Sequence, residues 1–88
     1  RMKYRKRPVE VEALRWTGAN YADMETFLES PRNGFFFGDK LHLLMGVNDV
    51  VCLPGTWIVK GATGGYHPVP GPVFDQVYDA TEVMHHPV

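Results

Sequence analysis

The sequence predicts a small α+β protein with one curled, mainly antiparallel sheet and an amphipathic helix packed on a face of it. Short stretches that alternate in polarity, or are wholly apolar, are separated by turn-forming pairs along most of the chain. One stretch near the N-terminus has helical spacing instead. The turns are short, which favours antiparallel pairing of neighbouring strands. With 88 residues, we expect one domain, residues 2–88, that buries a modest core.

The first element is a strand within RPVEVEALRW, residues 7–16. Apolar residues alternate with glutamates from Val9 to Ala13, which is the spacing of a half-buried strand. Leu14 and Trp16 then fall on the glutamate side, so either a bulge shifts the phase or both faces are covered there.

The helix is predicted within TGANYADMETFLES, residues 17–30. Asn20 is a preferred N-cap, because its side-chain oxygen can accept an unpaired backbone N–H. The helix should end at Ser30, since the residue before Pro31 avoids the helical region. Its apolar stripe, which should face the sheet, consists of Tyr21, Met24, Phe27 and Leu28.

Five short strands are predicted next, in local hairpins. Gly38-Asp39 fits a two-residue hairpin loop, and Pro54-Gly55 fits a type II turn with glycine at positive φ. Pro68 indicates an edge strand or a strand end. The strand stretches are FFF, KLHLLM, VVCL, WIVK and YHPV, and the turns are PRNG, GVND and GATGG.

The C-terminal stretch permits a short second helix in PGPVFDQVY, with Pro72 at its first position. Phe74, Val77 and Tyr78 would then face the core. Residues 78–85, YDATEVMH, are expected to form a closing strand.

Two motifs carry a family resemblance, KYRKRPVEVEALRWTG and PGTWIVKGATGGYHPVPGPVFDQVY. They resemble the ends of a family of small phage and prophage proteins, KYRKKPVVIEAxQWTG and PGDWIIKGxxGExYPxxPxxFxxTYE. The resemblance runs from Met2 to about Tyr78 and implies a phage-encoded accessory protein. The family's function is uncharacterised, and it assigns no catalytic residues. This chain has Thr56 where the family often has an acidic residue, Gly65 where it often has Glu, and Val69 where Cys is common. Any role of that acidic residue, glutamate or cysteine in the family would therefore be lost in this chain.

The basic residues are concentrated at the N-terminus. Residues 1–7 hold five of the nine basic residues and no acid, whereas residues 8–88 hold four basic and ten acidic residues. Residues 8–88 are therefore net acidic and do not provide the basic face that general nucleic-acid binding needs. The basic arm is either solvated or a local phosphate contact, and the candidate contact residues are Lys3, Arg5, Lys6 and Arg7.

The sequence predicts no catalytic group, metal site or cofactor. Cys52 lies in an apolar run, where a thiol is usually inert, and no histidine has the spacing of a zinc ligand. The single cysteine agrees with a reducing compartment, and we expect the host cytoplasm. No apolar run approaches the roughly 20 residues that cross a bilayer, so no membrane association is expected.

One loop is a candidate ligand site. Its bare backbone, cation, hydroxyl and aromatic ring could hold a phosphate, and its members are Lys60, Gly61, Thr63, Gly64, Gly65 and Tyr66. The favoured alternative is architectural. In it the glycines supply positive φ in tight turns, and Trp57 and Tyr66 pack beneath the helix.

We therefore expect a non-catalytic binding module that acts on a host or phage macromolecule, most simply a protein, through an exposed edge strand or an aromatic patch. One alternative is a binder of a nucleotide or another phosphorylated small ligand. Another is a minor virion or assembly component. Nucleic acid is not the expected partner, and homo-oligomerisation is left open.

Overall fold

The computed structural model describes residues 11–78, and the structural statements below concern that range. The elements, in chain order, are β1 Glu12–Arg15, α1 Tyr21–Leu28, β2 Gly34–Phe37, β3 Lys40–Met45, β4 Asn48–Cys52, β5 Trp57–Lys60, β6 Tyr66–Val69 and α2 Gly71–Val77. The strands form two three-stranded antiparallel sheets, ordered β1-β5-β6 and β2-β3-β4. The α+β class and the antiparallel pairing are confirmed, with the strands divided between two sheets. Between residues 11 and 78 no helix has the length and apolarity to cross a membrane.

The sheet β2-β3-β4, called the hairpin sheet below, consists of consecutive strands. Phe37 pairs with Lys40 across the predicted two-residue loop, where Gly38 has a φ of +65°. Leu41 and Leu43 on β3 are fully buried, while His42 between them points to the opposite side, as the strand period of two predicts.

The second sheet places β5 between β1 and β6. The predicted turn before β5 is present, since the Thr56 N–H donates to the Leu53 carbonyl at 3.1 Å and Gly55 has a φ of +100°. Pro68 lies on β6, an edge strand, as predicted. Ala13 and Leu14 are both half-buried, so β1 is covered on both faces where its sequence phase changes.

Helix α1 follows Asn20 as predicted, but the predicted capping role of the Asn20 side chain is wrong. Its Oδ1 accepts from the Thr17 N–H at 2.9 Å, and its Nδ2 donates to the Arg15 carbonyl at 2.9 Å. The side chain therefore fixes the connection from β1 instead of the first helical turn. At the other end the helix stops at Glu29, which has a φ of +71°.

The core lies between α1 and the two sheets. Trp16 is fully buried, and its Nε1 donates to the carbonyl of Asp39 in the hairpin loop at 2.9 Å. Tyr21 of α1 donates its hydroxyl to the neighbouring Gly38 carbonyl at 2.9 Å, so both rings anchor the same loop. The buried cluster consists of Trp16, Met24, Leu28, Leu41, Leu43, Cys52, Ile58 and Tyr66.

Helix α2 forms as predicted but buries none of its residues. Phe74 stacks on half-buried Trp57 with ring centroids 4.1 Å apart, whereas Val77 is 63% exposed. The expectation that Val77 faces the core is therefore wrong, and Phe74 and Tyr78 are only half-buried. The expectation that Trp57 packs beneath α1 is also wrong, because Trp57 lies against α2 and it is Trp16 that packs with Met24 and Leu28 of α1. The closing strand predicted for residues 78–85 lies outside the described residues beyond Tyr78.

Candidate functional site

The predicted ligand loop closes partly on itself. The Gly61 N–H donates to the Gly65 carbonyl at 2.7 Å, and the Gly64 N–H donates to the Gly61 carbonyl at 3.0 Å. Gly64 has a φ of +94°, the turn conformation that glycine adopts without strain. A shallow cavity of about 240 Å³ adjoins the loop, lined by Val11, Glu12, Lys60, Gly61, Ala62 and Gly64. Two N–H groups that a phosphate would need are thus already paired.

The polar side chains of this loop are also occupied. Lys60 Nζ donates to Glu29 Oε2 at 2.9 Å, and this hydrogen bond raises the Lys60 pKa. Tyr66 is buried, which raises its pKa, and its hydroxyl donates to the Phe27 carbonyl at 2.8 Å. Thr63 is exposed. The architectural interpretation agrees with the structure for Gly64 and Tyr66, whereas Gly61 and Gly65 do not have positive φ. The ligand site stays a prediction. The phosphate-contact candidates Lys3, Arg5, Lys6 and Arg7 lie outside the described residues.

Among the described residues, the potential catalytic side chains are not assembled into a site. Cys52 is buried in the core, and burial raises its pKa from 9.0 to about 11, so the thiol stays protonated and unreactive near neutral pH. His42 Nδ1 lies 3.4 Å from Asp49 in a surface pair. Residues 11–78 contain no group of three His, Cys, Asp or Glu side chains that could hold a metal ion.

A groove that the sequence analysis missed lies between the last turn of α1 and strand β2. Its volume is about 360 Å³, and it is lined by Glu25, Leu28, Glu29, Ser30, Pro31, Gly34, Phe35 and Phe36. Glu25 and Glu29 are four residues apart, about one helical turn, so their side chains lie on the same side of α1 and both line this groove. That i, i+4 spacing, with an aromatic strand after the next turn, is the sequence signal that could have indicated it.

One wall of the groove is an open strand edge. Strand β2 is at the edge of the hairpin sheet. The Leu44 N–H donates to the Asn33 carbonyl at 2.9 Å, which makes these two residues a hydrogen-bonded pair. In an antiparallel ladder such pairs alternate, so the N–H and C=O groups of Gly34 and Phe36 point away from β3. Both residues line the groove, where Phe36 is half-buried and Gly34 is buried.

The outer side of the hairpin sheet carries a second surface, called the aromatic face below. Phe35 is 45% exposed, Phe37 74%, Val51 48% and Leu53 55%. His42 lies between them, stacked on Phe35 with ring centroids 4.7 Å apart and an interplanar angle of 10°. Phe35 and Phe37 pack on this ring, Val51 is its register partner, and Leu53 follows the end of β4. Exposed apolar side chains grouped in this way are typical of an interaction surface.

Comparisons with known proteins add no assignment to this geometry. No protein-family model, no curated protein and no solved structure matches the chain. The fold and its surfaces define a small α+β domain with an open strand edge beside an acidic groove and an exposed aromatic sheet face.

Proposed function

We propose that this chain is a non-catalytic binding module that acts on a host or phage protein. It is a phage-encoded accessory protein, as its sequence resemblance implies, and it acts in the host cytoplasm, a reducing compartment with which its single cysteine agrees. It binds an extended, basic segment of its partner along the edge of β2. The observation that carries the proposal is the groove in which this open edge meets the carboxylates of Glu25 and Glu29.

The backbone of β2 supplies the affinity in this proposal. An extended segment laid beside an open edge forms main-chain hydrogen bonds with the outward groups of Gly34 and Phe36. Leu28 and Phe36 form the apolar floor of the groove, and the exposed ring of Phe35 forms its outer rim. Alternate side chains of the added strand would contact this floor and rim, because strand side chains alternate between faces.

The charge of the groove selects a basic segment. Helix α1 has no basic residue in its last turn, where the helix dipole places partial negative charge. Glu25 and Glu29 add two exposed carboxylates at the same end. Glu29 is paired with Lys60, whereas Glu25 has no ion-pair partner within residues 11–78. A lysine or arginine of the bound segment next to Glu25 would form an ion pair with its carboxylate.

The test begins with affinity capture from bacterial lysate and continues with the purified captured protein. Calorimetric titration should show that Glu25→Lys weakens binding about tenfold or more, since it replaces attraction by repulsion. Asp75→Lys, an equal charge change on the exposed face of α2, should leave binding unchanged. Raising the salt concentration should weaken the wild-type complex toward the Glu25→Lys value.

Hydrogen exchange distinguishes strand addition from other contacts. In the complex, the amides of Gly34 and Phe36 should exchange more slowly, because they become donors to the added strand. The proposal fails if Glu25→Lys binds as tightly as wild type, or if these two amides exchange equally fast with and without the partner.

A further inference from the structure

We infer that the aromatic face is a self-association surface, on which a second copy of this chain packs face to face about a two-fold axis. This inference concerns the outer side of the hairpin sheet and does not rest on the proposed function, which concerns the edge of β2; Phe35 is the residue that the two surfaces share. The arrangement of apolar rows and charges on that side fits a second copy of the chain.

The outer side of the hairpin sheet has a regular plan. The central row runs across all three strands as Phe35, His42 and Val51, which are neighbours in the strand register. On one side of this row lies Lys40, paired with Phe37. On the other side lies Asp49, paired with Leu44. The central row is thus flanked by the cation of Lys40 toward one end of the strands and by the anion of Asp49 toward the other.

This plan is self-complementary. We place the two-fold axis midway between the two copies and parallel to the central row. This axis stacks the two sheets face to face, with their strands running in opposite directions. The row that contains Lys40 then faces the row that contains Asp49 of the second copy. Packed sheets are about 10 Å apart, and Lys40 on β3 is offset from the partner's Asp49 on β4 by one strand spacing of about 4.8 Å. A lysine and an aspartate side chain together are long enough to bridge this distance. Symmetry forms this ion pair twice.

The rings are held in place before association. Phe35 stacks on His42, and Phe37 meets the same imidazole edge to face at 6.4 Å. His42 is itself paired with Asp49. Association therefore immobilises few additional rotamers, which lowers its entropic cost.

The size of the face sets the strength of the dimer. Its four exposed apolar side chains present on the order of 400 Å² per copy. A two-copy contact of roughly 800–1,000 Å² is at the low end of specific interfaces, so we expect a dimer with micromolar affinity. Such a dimer forms only at raised protein concentration.

Sedimentation equilibrium from about 5 µM to 1 mM tests the inference across this affinity range. The wild-type mass should rise toward twice that of the monomer. Phe37→Asp should remain monomeric, because it places a charge in the apolar patch. Val73→Asp, the same change at an exposed position of α2, should associate like wild type. Circular dichroism confirms that each variant is folded.

A charge exchange identifies the geometry of the pair. Lys40→Asp alone and Asp49→Lys alone should each weaken association about tenfold, since like charges then meet across the axis. An equimolar mixture of these two variants should associate again. In a mixed dimer one copy has carboxylates at both positions and the other has ammonium groups at both, so each of the two cross-axis contacts is attractive. A wild type that stays monomeric to 1 mM overturns the inference, and so does a mixture no more associated than its components.

Discussion

The Tyr66 hydroxyl donates a 2.8 Å hydrogen bond to the Phe27 carbonyl, which joins strand β6 to the end of helix α1. Asn33 Nδ2 donates to the adjacent Leu28 carbonyl at 2.6 Å. The last carbonyls of a helix have no partner within it, so these two side chains satisfy groups that would otherwise be unpaired. Tyr66, a candidate ligand residue on sequence grounds, thereby has a structural role.

The first prediction concerns this hydroxyl. Tyr66→Phe keeps the ring and its contact with Phe27 but removes the donor, so the free energy of unfolding should fall by about 1 kcal/mol. Urea denaturation followed by circular dichroism measures the change. Thr63→Val, which alters an exposed hydroxyl in the neighbouring loop, is the control and should have little effect. An unchanged midpoint for Tyr66→Phe would show that the hydrogen bond contributes nothing.

The two tryptophans should differ in both stability and fluorescence. Trp16→Ala should cost about 3–5 kcal/mol, because it empties a fully buried site and leaves the Asp39 carbonyl unpaired. Trp57→Ala should cost clearly less, since Trp57 is half-buried against Phe74. In Trp57→Phe the remaining Trp16 should emit at short wavelength and resist acrylamide quenching. Equal costs, or strong quenching of Trp16, would contradict the core described here.

Three glycine substitutions separate backbone strain from steric overlap. Gly55→Ala should destabilise by about 1 kcal/mol through its φ of +100° alone, since the added Cβ meets only the Arg15 side chain at 3.7 Å. Gly18→Ala should cost more, because its φ is +90° and the Cβ would lie 2.9 Å from Pro54 Cγ. Gly65→Ala, with open space around it, should be nearly neutral. Thermal denaturation ranks them, and the reverse order would refute this explanation.

Burial of Cys52 predicts a pH effect. Its pKa is about 11 in the folded protein against an ordinary 9.0, so the folded state holds the thiol proton more tightly. This contribution to stability is therefore lost as the pH rises from about 9 through about 11. Urea denaturation at pH 8 and pH 10 should show a smaller loss for Cys52→Val than for wild type. Iodoacetamide at pH 8 should modify the thiol slowly unless urea is present, and rapid labelling of the native protein would disprove its burial.

The glycine loop offers a test of the nucleotide alternative. A ligand present at 100 times its dissociation constant stabilises by about 2.7 kcal/mol, which a thermal shift assay detects readily. Because two loop N–H groups and Lys60 are already paired, we expect no shift with a panel of nucleotides. A shift that Thr63→Val and Lys60→Ala abolish would instead establish the predicted ligand site.

Several features of the fold followed from local sequence chemistry. The hairpin loop at Gly38-Asp39, the turn at Pro54-Gly55 and the helix after Asn20 were predicted because glycine, proline and spacing act over a few residues. The burial of Leu41 and Leu43 and the outward position of His42 likewise follow from the strand period of two.

The choice of core tryptophan, the acidic groove and the aromatic face were decided by the tertiary structure alone, because each depends on residues far apart in the chain. Trp16 ends one predicted strand and Trp57 begins another, yet only Trp16 enters the core, where it packs on Phe36 and donates to the Asp39 carbonyl, 23 residues away. The acidic groove exists because α1 ends beside β2, and the aromatic face exists because three strands align their outer rows. Such surfaces arise from packing between elements, and local propensity specifies each element without specifying which of its faces remains uncovered.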